Sequence, residues 1–199
     1  MFQTSLLEPT PGVGPLTLAH RTQLGDGAWV DVLPGWLHGA DGLFTALADG
    51  VPWVAERREM YDSVVDVPRL LAFYREGMAL PDPLLDEARG ALSVHYETRF
   101  TTAGLCLYRD GRDSVAWHGD RVGRGSHEDT HVAVVSLGAT RPLLLRPRSG
   151  GPSRRFPLAH GDLLVMGGSC QRTWDHAIPK TTRPTGPRIS IQFRPRGVR

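Results

Sequence analysis

Trp117-His118-Gly119-Asp120 is where the chain's chemistry concentrates. In an extended strand alternate residues point the same way, so His118 and Asp120 share a face. An imidazole and a carboxylate side by side supply two of the three ligands of a 2-His-1-carboxylate facial triad. Such a triad leaves three positions on iron open for a bidentate oxoacid and for oxygen. A second, distant histidine must complete it, and His176 is the candidate, in a predicted strand 58 residues further on. A His-x-Asp pair on its own also fits a polar surface pair.

Arg188-Ile189-Ser190-Ile191-Gln192-Phe193-Arg194 alternates strictly. Arg188, Ser190, Gln192 and Arg194 face one way; Ile189, Ile191 and Phe193 face the other. The apolar face is expected in the core between two sheets, and the polar face in a barrel interior. Two interior arginines require an anion, and a dicarboxylate cosubstrate meets that need, because a guanidinium grips a carboxylate with two parallel hydrogen bonds. An edge strand with a solvated face fits the same pattern. A third segment, Cys106-Leu107-Tyr108-Arg109-Asp110-Gly111, puts Cys106 and Tyr108 on one strand face ahead of an Asp-Gly turn leading to His118. There Tyr108 can offer its hydroxyl to the cosubstrate or serve as a core tyrosine.

These segments need a scaffold. After Thr98 short apolar runs alternate with Gly, Pro, Asp and Arg, which predicts strands at 102–108, 114–118, 131–137, 142–146, 154–158, 162–166, 173–178 and 188–194. Such a succession suggests a sandwich or jelly roll, two turns of which bridge the interval from His118 to His176. Ahead of it, 36–47 and 82–96 carry apolar residues at helical spacing, and 51–58 reads as a strand. The fold class expected is therefore mainly β with flanking helices, α+β, with two N-terminal helices packed on one face. One domain is expected over 1–199, its core at 98–199.

The whole chain narrows the possibilities further. Its 199 residues, 40% of them hydrophobic, suit one domain with a sizeable core. No apolar run reaches membrane-spanning length. The N-terminus has no basic start followed by a long apolar stretch, so a loose leader is expected, not a signal peptide. Two cysteines, Cys106 and Cys170, make a disulfide scaffold untenable and point to the reducing cytoplasm. The net charge of +2 hides an asymmetry: residues 121–199 hold 14 basic against 4 acidic side chains, and residues 1–120 hold 9 against 17. A basic half suggests a polyanionic partner, although Lys180 is the single lysine and arginine bias can also be genomic.

Taken in order, the motifs resemble the AlkB family of nucleic-acid dealkylating dioxygenases. The Tyr-x-Asp-Gly turn, His118-x-Asp120, Ser136-Leu137-Gly138, His160-Gly161-Asp162, Trp174-x-His176 and the Arg188/Arg194 pair follow the family's sequence, and so does Pro68-Arg69-Leu70-x-Ala72-Phe73-Tyr74 upstream. The resemblance covers about residues 68–195. It implies a double-stranded β-helix with a substrate lid, Fe(II) on His118, Asp120 and His176, and 2-oxoglutarate and O2 as cosubstrates. Arg188 would pair with the distal carboxylate, aided by Tyr108. Arg194 would close the pocket near the oxidised carbon, and Cys106, Ser190 and Gln192 would line it. The loop at 57–69 would form the lid, with Met60, Tyr61 and Arg69 near the target base, and Arg148 would assist. The partner implied is alkylated nucleic acid, DNA before RNA, bound by a monomer. Phosphates would meet Arg146, Arg148, Arg154 and Arg155, which equally fit a solvated loop.

Three departures stand out. Cys106 and Ser190 occupy positions where the family has amides, and both are poorer partners for a carboxylate. Val122 stands where the family often has an acidic contact to the base, which Glu128 or Asp129 could replace. His95, His127, His131 and His160 read as hydrogen-bonded or surface histidines, Cys170 as a small buried residue, and Trp117 and Trp174 as packing that excludes water. Beside oxidative dealkylation of nucleobases stand two other readings. One is a 2-oxoglutarate hydroxylase of a protein or small molecule, the other a non-catalytic jelly-roll binding module.

Overall fold

The computed structural model describes residues 10–60, 63–120 and 123–198. Two antiparallel sheets face each other. Strands β1 (Gly12–Val13) and β4 (Leu37–His38) form a small ribbon apart from them. The large sheet comprises β2 (His20–Gly25), β3 (Ala28–Leu33), β5 (Val54–Met60), β6 (Ser63–Tyr74), β7 (Phe100–Tyr108), β9 (Val132–Gly138), β12 (Asp162–Gly167) and β14 (Arg188–Pro195). Its order is β2-β3-β12-β9-β14-β7-β6-β5. The small sheet has β8 (Val115–His118), β10 (Arg141–Pro147), β11 (Arg154–Leu158) and β13 (Trp174–Ile178), in the order β11-β10-β13-β8. All eight strands expected after Thr98 are present. The strands added to the large sheet are upstream, where β2, β3 and β6 extend it beyond the two expected helices.

Alternation in the large sheet separates two cores. One face packs against helices α1 (Ala40–Gly50) and α2 (Pro83–His95), through Leu43, Leu47, Leu85, Ala88 and Leu92. Ile189, Ile191 and Phe193 belong to this layer. The apolar face of β14 is therefore under the helices and not between the sheets, which corrects the sequence expectation. Between the sheets a second core gathers Val134, Leu143, Leu145, Leu158, Leu164 and Trp174. The polar face of β14 opens into that inter-sheet space.

Local chemistry sets the element ends. Asp82 caps α2 by accepting from Leu84 N at 2.8 Å, and Pro83 opens the helix without a donor to lose. Helix α1 starts at Ala40, after Gly39 turns left-handed (φ 72°), four residues later than the apolar spacing suggests. Trp36 is buried ahead of it, donating from Nε1 to Gly14 O at 2.9 Å. The His160-Gly161-Asp162 turn is a clamp: His160 Nδ1 accepts from Gly138 N, while Asp162 accepts from Gly35 N and Ala159 N, all within 2.8 Å. Gly138 (φ 81°) admits no side chain, since a Cβ there would meet Pro187 O at 2.5 Å. The family-like Ser-Leu-Gly motif thus ends β9 in a backbone contact that only glycine allows. Asp31 accepts both Arg21 nitrogens at 2.7 Å and the Tyr96 hydroxyl at 3.0 Å, fastening the end of α2 to the sheet.

Candidate active site

His118 and His176 come together because β8 and β13 pair with these two residues directly opposite each other. Their rings lie 4.2 Å apart, centroid to centroid. Asp120, just past β8, completes the group, and the three ligand atoms lie within 4.8 Å of one another. His118 Nδ1 is 2.9 Å from the carbonyl of Ala116. A carbonyl only accepts, so Nδ1 carries the proton and Nε2 keeps its lone pair for a metal. Burial pushes the His176 imidazole down to about 3, with the charge of His118 adding to the effect, so it is neutral at physiological pH.

Asp120 is fixed from two sides. Its backbone N donates to Gln171 Oε1 at 3.0 Å, and its Oδ2 accepts from Arg194 Nε at 2.7 Å. Burial would raise this carboxyl, but the charges of Arg194 and His176 and the Arg194 hydrogen bond outweigh it and hold it at about 2. A neutral imidazole and an ionised carboxylate are the states a divalent metal requires. Arg194 therefore orients the carboxylate ligand, a more specific position than the closing of the pocket expected from sequence. Gln171 had no signal in the sequence: it lies in a four-residue helix, α3 (Cys170–Thr173), that only tertiary packing brings to Asp120.

Beside the triad a small cavity of about 80 Å3 is lined by Cys106, Tyr108, Arg188, Ser190, Gln192 and Arg194, together with Arg69 and both histidines. Arg188 is fully buried. Its Nε donates to Ser136 Oγ at 2.9 Å, while Nη1 and Nη2 have no partner. The fork of the guanidinium is thus free for an anion. Its carbon lies 5.2 Å from the Tyr108 ring centroid, and burial pushes the Tyr108 phenol well up, so it remains a donor. Gln192 donates from Nε2 to Ser190 O at 3.0 Å and accepts at Oε1 from Cys106 Sγ at 3.6 Å, linking the two residues. A dicarboxylate fits this arrangement: a guanidinium with two free donors, a phenol, and two histidines of the triad in the same lining.

A larger cleft of about 600 Å3 opens above His118, walled by Val67, Pro68, Arg69, Trp117, Pro179 and Lys180 among others. Within segment 57–69, expected to be a loop, residues 57–60 and 63–69 belong to the antiparallel strands β5 and β6. Met60 ends β5, and Tyr61 lies outside the described residues, as does Val122. Neither Glu128 nor Asp129 lines the cleft, and Asp129 pairs with Arg172. Arg146 stacks over Trp117 at 4.4 Å and, with Arg148, flanks Asp175 at 3.6 and 3.8 Å. Arg148 is at this rim and not in the cleft. Trp174 is buried between the sheets as expected, whereas Trp117 forms a wall of the cleft.

Residues 53–194 match the 2OG-Fe(II) oxygenase superfamily. The chain is 32% identical over 202 residues to the alpha-ketoglutarate-dependent dioxygenase alkB homolog 3 of Bos taurus, covering 85% of this chain and 68% of that protein. It is 29% identical over 178 residues to the DNA oxidative demethylase ALKBH2 of Homo sapiens, covering 78% and 68%. The structure of OsALKBH1 superposes with a TM-score of 0.64 at 13% identity, over 88% of this chain and all of that one, which shows the shared fold. The chain therefore belongs to the AlkB family of Fe(II)- and 2-oxoglutarate-dependent oxygenases. Its triad is His118, Asp120 and His176. Among the described residues no helix is long and apolar enough to cross a membrane.

Proposed function

We propose that the chain removes N-alkyl groups from nucleobases, in DNA before RNA, consuming O2 and 2-oxoglutarate and releasing succinate, CO2 and an aldehyde. The observation that carries this reading is the free fork of Arg188 beside the triad, with an open cleft above. Fe(II) with its oxoacid supplies an oxidant for the alkyl C–H bond when both are bound. The protein's own part is to bind, orient and exclude water. Arg188 and Tyr108 hold the distal carboxylate, Gln192, Ser190 and Cys106 line the path to the metal, and Arg194 keeps Asp120 in its ligating orientation. Oxidation of the N-alkyl carbon leaves an unstable carbinolamine that releases aldehyde and the restored base.

Support for a nucleic-acid substrate comes from two sources. The relatives include a protein named a DNA oxidative demethylase. The small sheet and its hairpin also carry Arg146, Arg148, Arg154 and Arg155, with Lys180 at the cleft, suited to phosphates. A target base leaves its stack to enter such a cleft, at least cost when alkylation already blocks its pairing. Met60 and Tyr61 are the residues we assign to that base, with Arg69 in the wall of the same cleft. Two free cysteines suit a reducing compartment such as the cytoplasm, and we take the working form to be a monomer.

One observation favours a second reading. The described cleft lining includes Arg69 and Lys180 and no carboxylate, poor surroundings for a cationic methylated base. A protein or small-molecule substrate, hydroxylated at the same centre, accommodates that charge. The deciding experiment gives the protein Fe(II), 2-oxoglutarate, ascorbate and single-stranded DNA bearing 1-methyladenine or 3-methylcytosine, read by mass spectrometry. Loss of the methyl group that needs both iron and cosubstrate supports DNA dealkylation. Succinate formation without demethylation moves the substrate to RNA, protein or a small molecule.

A further inference from the structure

Arg69 sits where the two cavities meet. Four residues line both, and Arg69 is the one permanent cation among them; the others are Val115, His118 and Ile178. Its place follows from strand register. Leu70 pairs with Leu107 across β6 and β7, and Tyr108 pairs with Arg188 across β7 and β14. One step along, Arg69, Tyr108 and Arg188 continue as a row over three strands, and all three line the smaller cavity. Arg69 Nη1 donates to Ser114 O at 3.2 Å, and its Nε is buried without a partner.

The charge around this row is unbalanced. No carboxylate lines the smaller cavity among the described residues. Of its three arginines, Arg194 is paired with Asp120, while Arg69 and Arg188 have no carboxylate partner among those residues. Two guanidiniums flanking one phenol repel each other unless an anion lies between them. A dicarboxylate that turns one end to the metal leaves its other end for this row.

We propose that Arg69 is a positioning residue for the oxoacid, a second guanidinium beside Arg188 that ties the β5–β6 hairpin to the occupied cosubstrate pocket. The proposal rests on the assignment of Arg188 to the distal carboxylate. Its consequence is coupling between sites: Val67 and Pro68, next to Arg69, wall the substrate cleft, so cosubstrate binding fixes that wall.

The test uses Arg69→Met, which keeps the apolar stem, and Arg69→Lys, which keeps the charge. Binding of radiolabelled 2-oxoglutarate to the Fe(II)-loaded protein is measured by equilibrium dialysis under nitrogen, and hydrogen exchange is followed over residues 67–74. Arg69→Met is expected to weaken binding about tenfold or more, and Arg69→Lys by less. In the parent protein the cosubstrate slows exchange over 67–74, and Arg69→Met abolishes the slowing. Parent-like affinity in Arg69→Met, with binding lost in Arg188→Met, overturns this proposal and leaves the Arg188 assignment standing. Unchanged binding in Arg188→Met removes both. If Arg69→Met does not fold, exchange in the parent decides: no slowing over 67–74 on adding 2-oxoglutarate overturns the proposal.

Discussion

A guanidinium buried without a carboxylate is costly, and Arg188 carries that cost in the absence of its ligand. Arg188→Met is therefore expected to lower 2-oxoglutarate affinity by about 30-fold or more, in line with about 2–5 kcal/mol for a buried charge pair that loses one member. The ligand-free variant should melt no lower than the parent, because the unpaired charge is gone. Calorimetric titration and a melting curve check the two halves together. The cysteines give a second prediction. Burial pushes the Cys170 thiol up to about 12, so at pH 8 its thiolate fraction is on the order of one in ten thousand. Raising a thiol's pKa removes the reactive form below that pKa, and Cys170 should resist iodoacetamide until the pH approaches it. Half-buried Cys106 lines the cosubstrate cavity; it should be alkylated in the free protein and protected by 2-oxoglutarate.

Phe193, on β14, is fully buried beneath the two helices. Phe193→Ala should cost about 3–5 kcal/mol of stability, read by denaturant titration, because the strand is sheathed on that face and cannot relax into the cavity. Strand β14 was the most legible element in the sequence, since alternation exposes which residues share a face. Which core that face joins was not legible, because periodicity carries no information about what covers a sheet. Strand β2, HRTQLG, has a single buried residue, Leu24, and so no apolar rhythm to detect. Its pairing with β3 comes from the ladder and from the Arg21–Asp31 bridge. Strand β5 was legible as the strand at 51–58, whereas β6 was hidden because Pro68 interrupts its run. Helix α2, by contrast, announced itself through Asp82-Pro83 and its apolar spacing, and its predicted limits agree with the structure to within a residue.

Across the whole molecule the charge asymmetry takes spatial form, with Arg154 and Arg155 exposed on the small sheet. On the proposed nucleic-acid reading, replacing both with glutamine should weaken binding to single-stranded DNA across sequences and flatten the log–log salt dependence by about 0.7 for each phosphate no longer neutralised. The iron ligands were readable as residue types, but their meeting was not, because His118 and His176 lie 58 residues apart. Only the pairing of β8 with β13 sets them side by side. That pairing is also the thinnest seam of the small sheet: β8 is one of its two edge strands and the register slips between His176 and Ile178. A metal held by both histidines is therefore a suture across the seam, closing a long loop of chain with coordinate bonds where the ladder is short. Amide exchange at 115–118 should accelerate when a chelator strips the metal and slow again on adding Fe(II) under nitrogen, while exchange in β9 and β14 stays unchanged. On that view, iron starvation loosens one edge of this enzyme before it unfolds any of the rest.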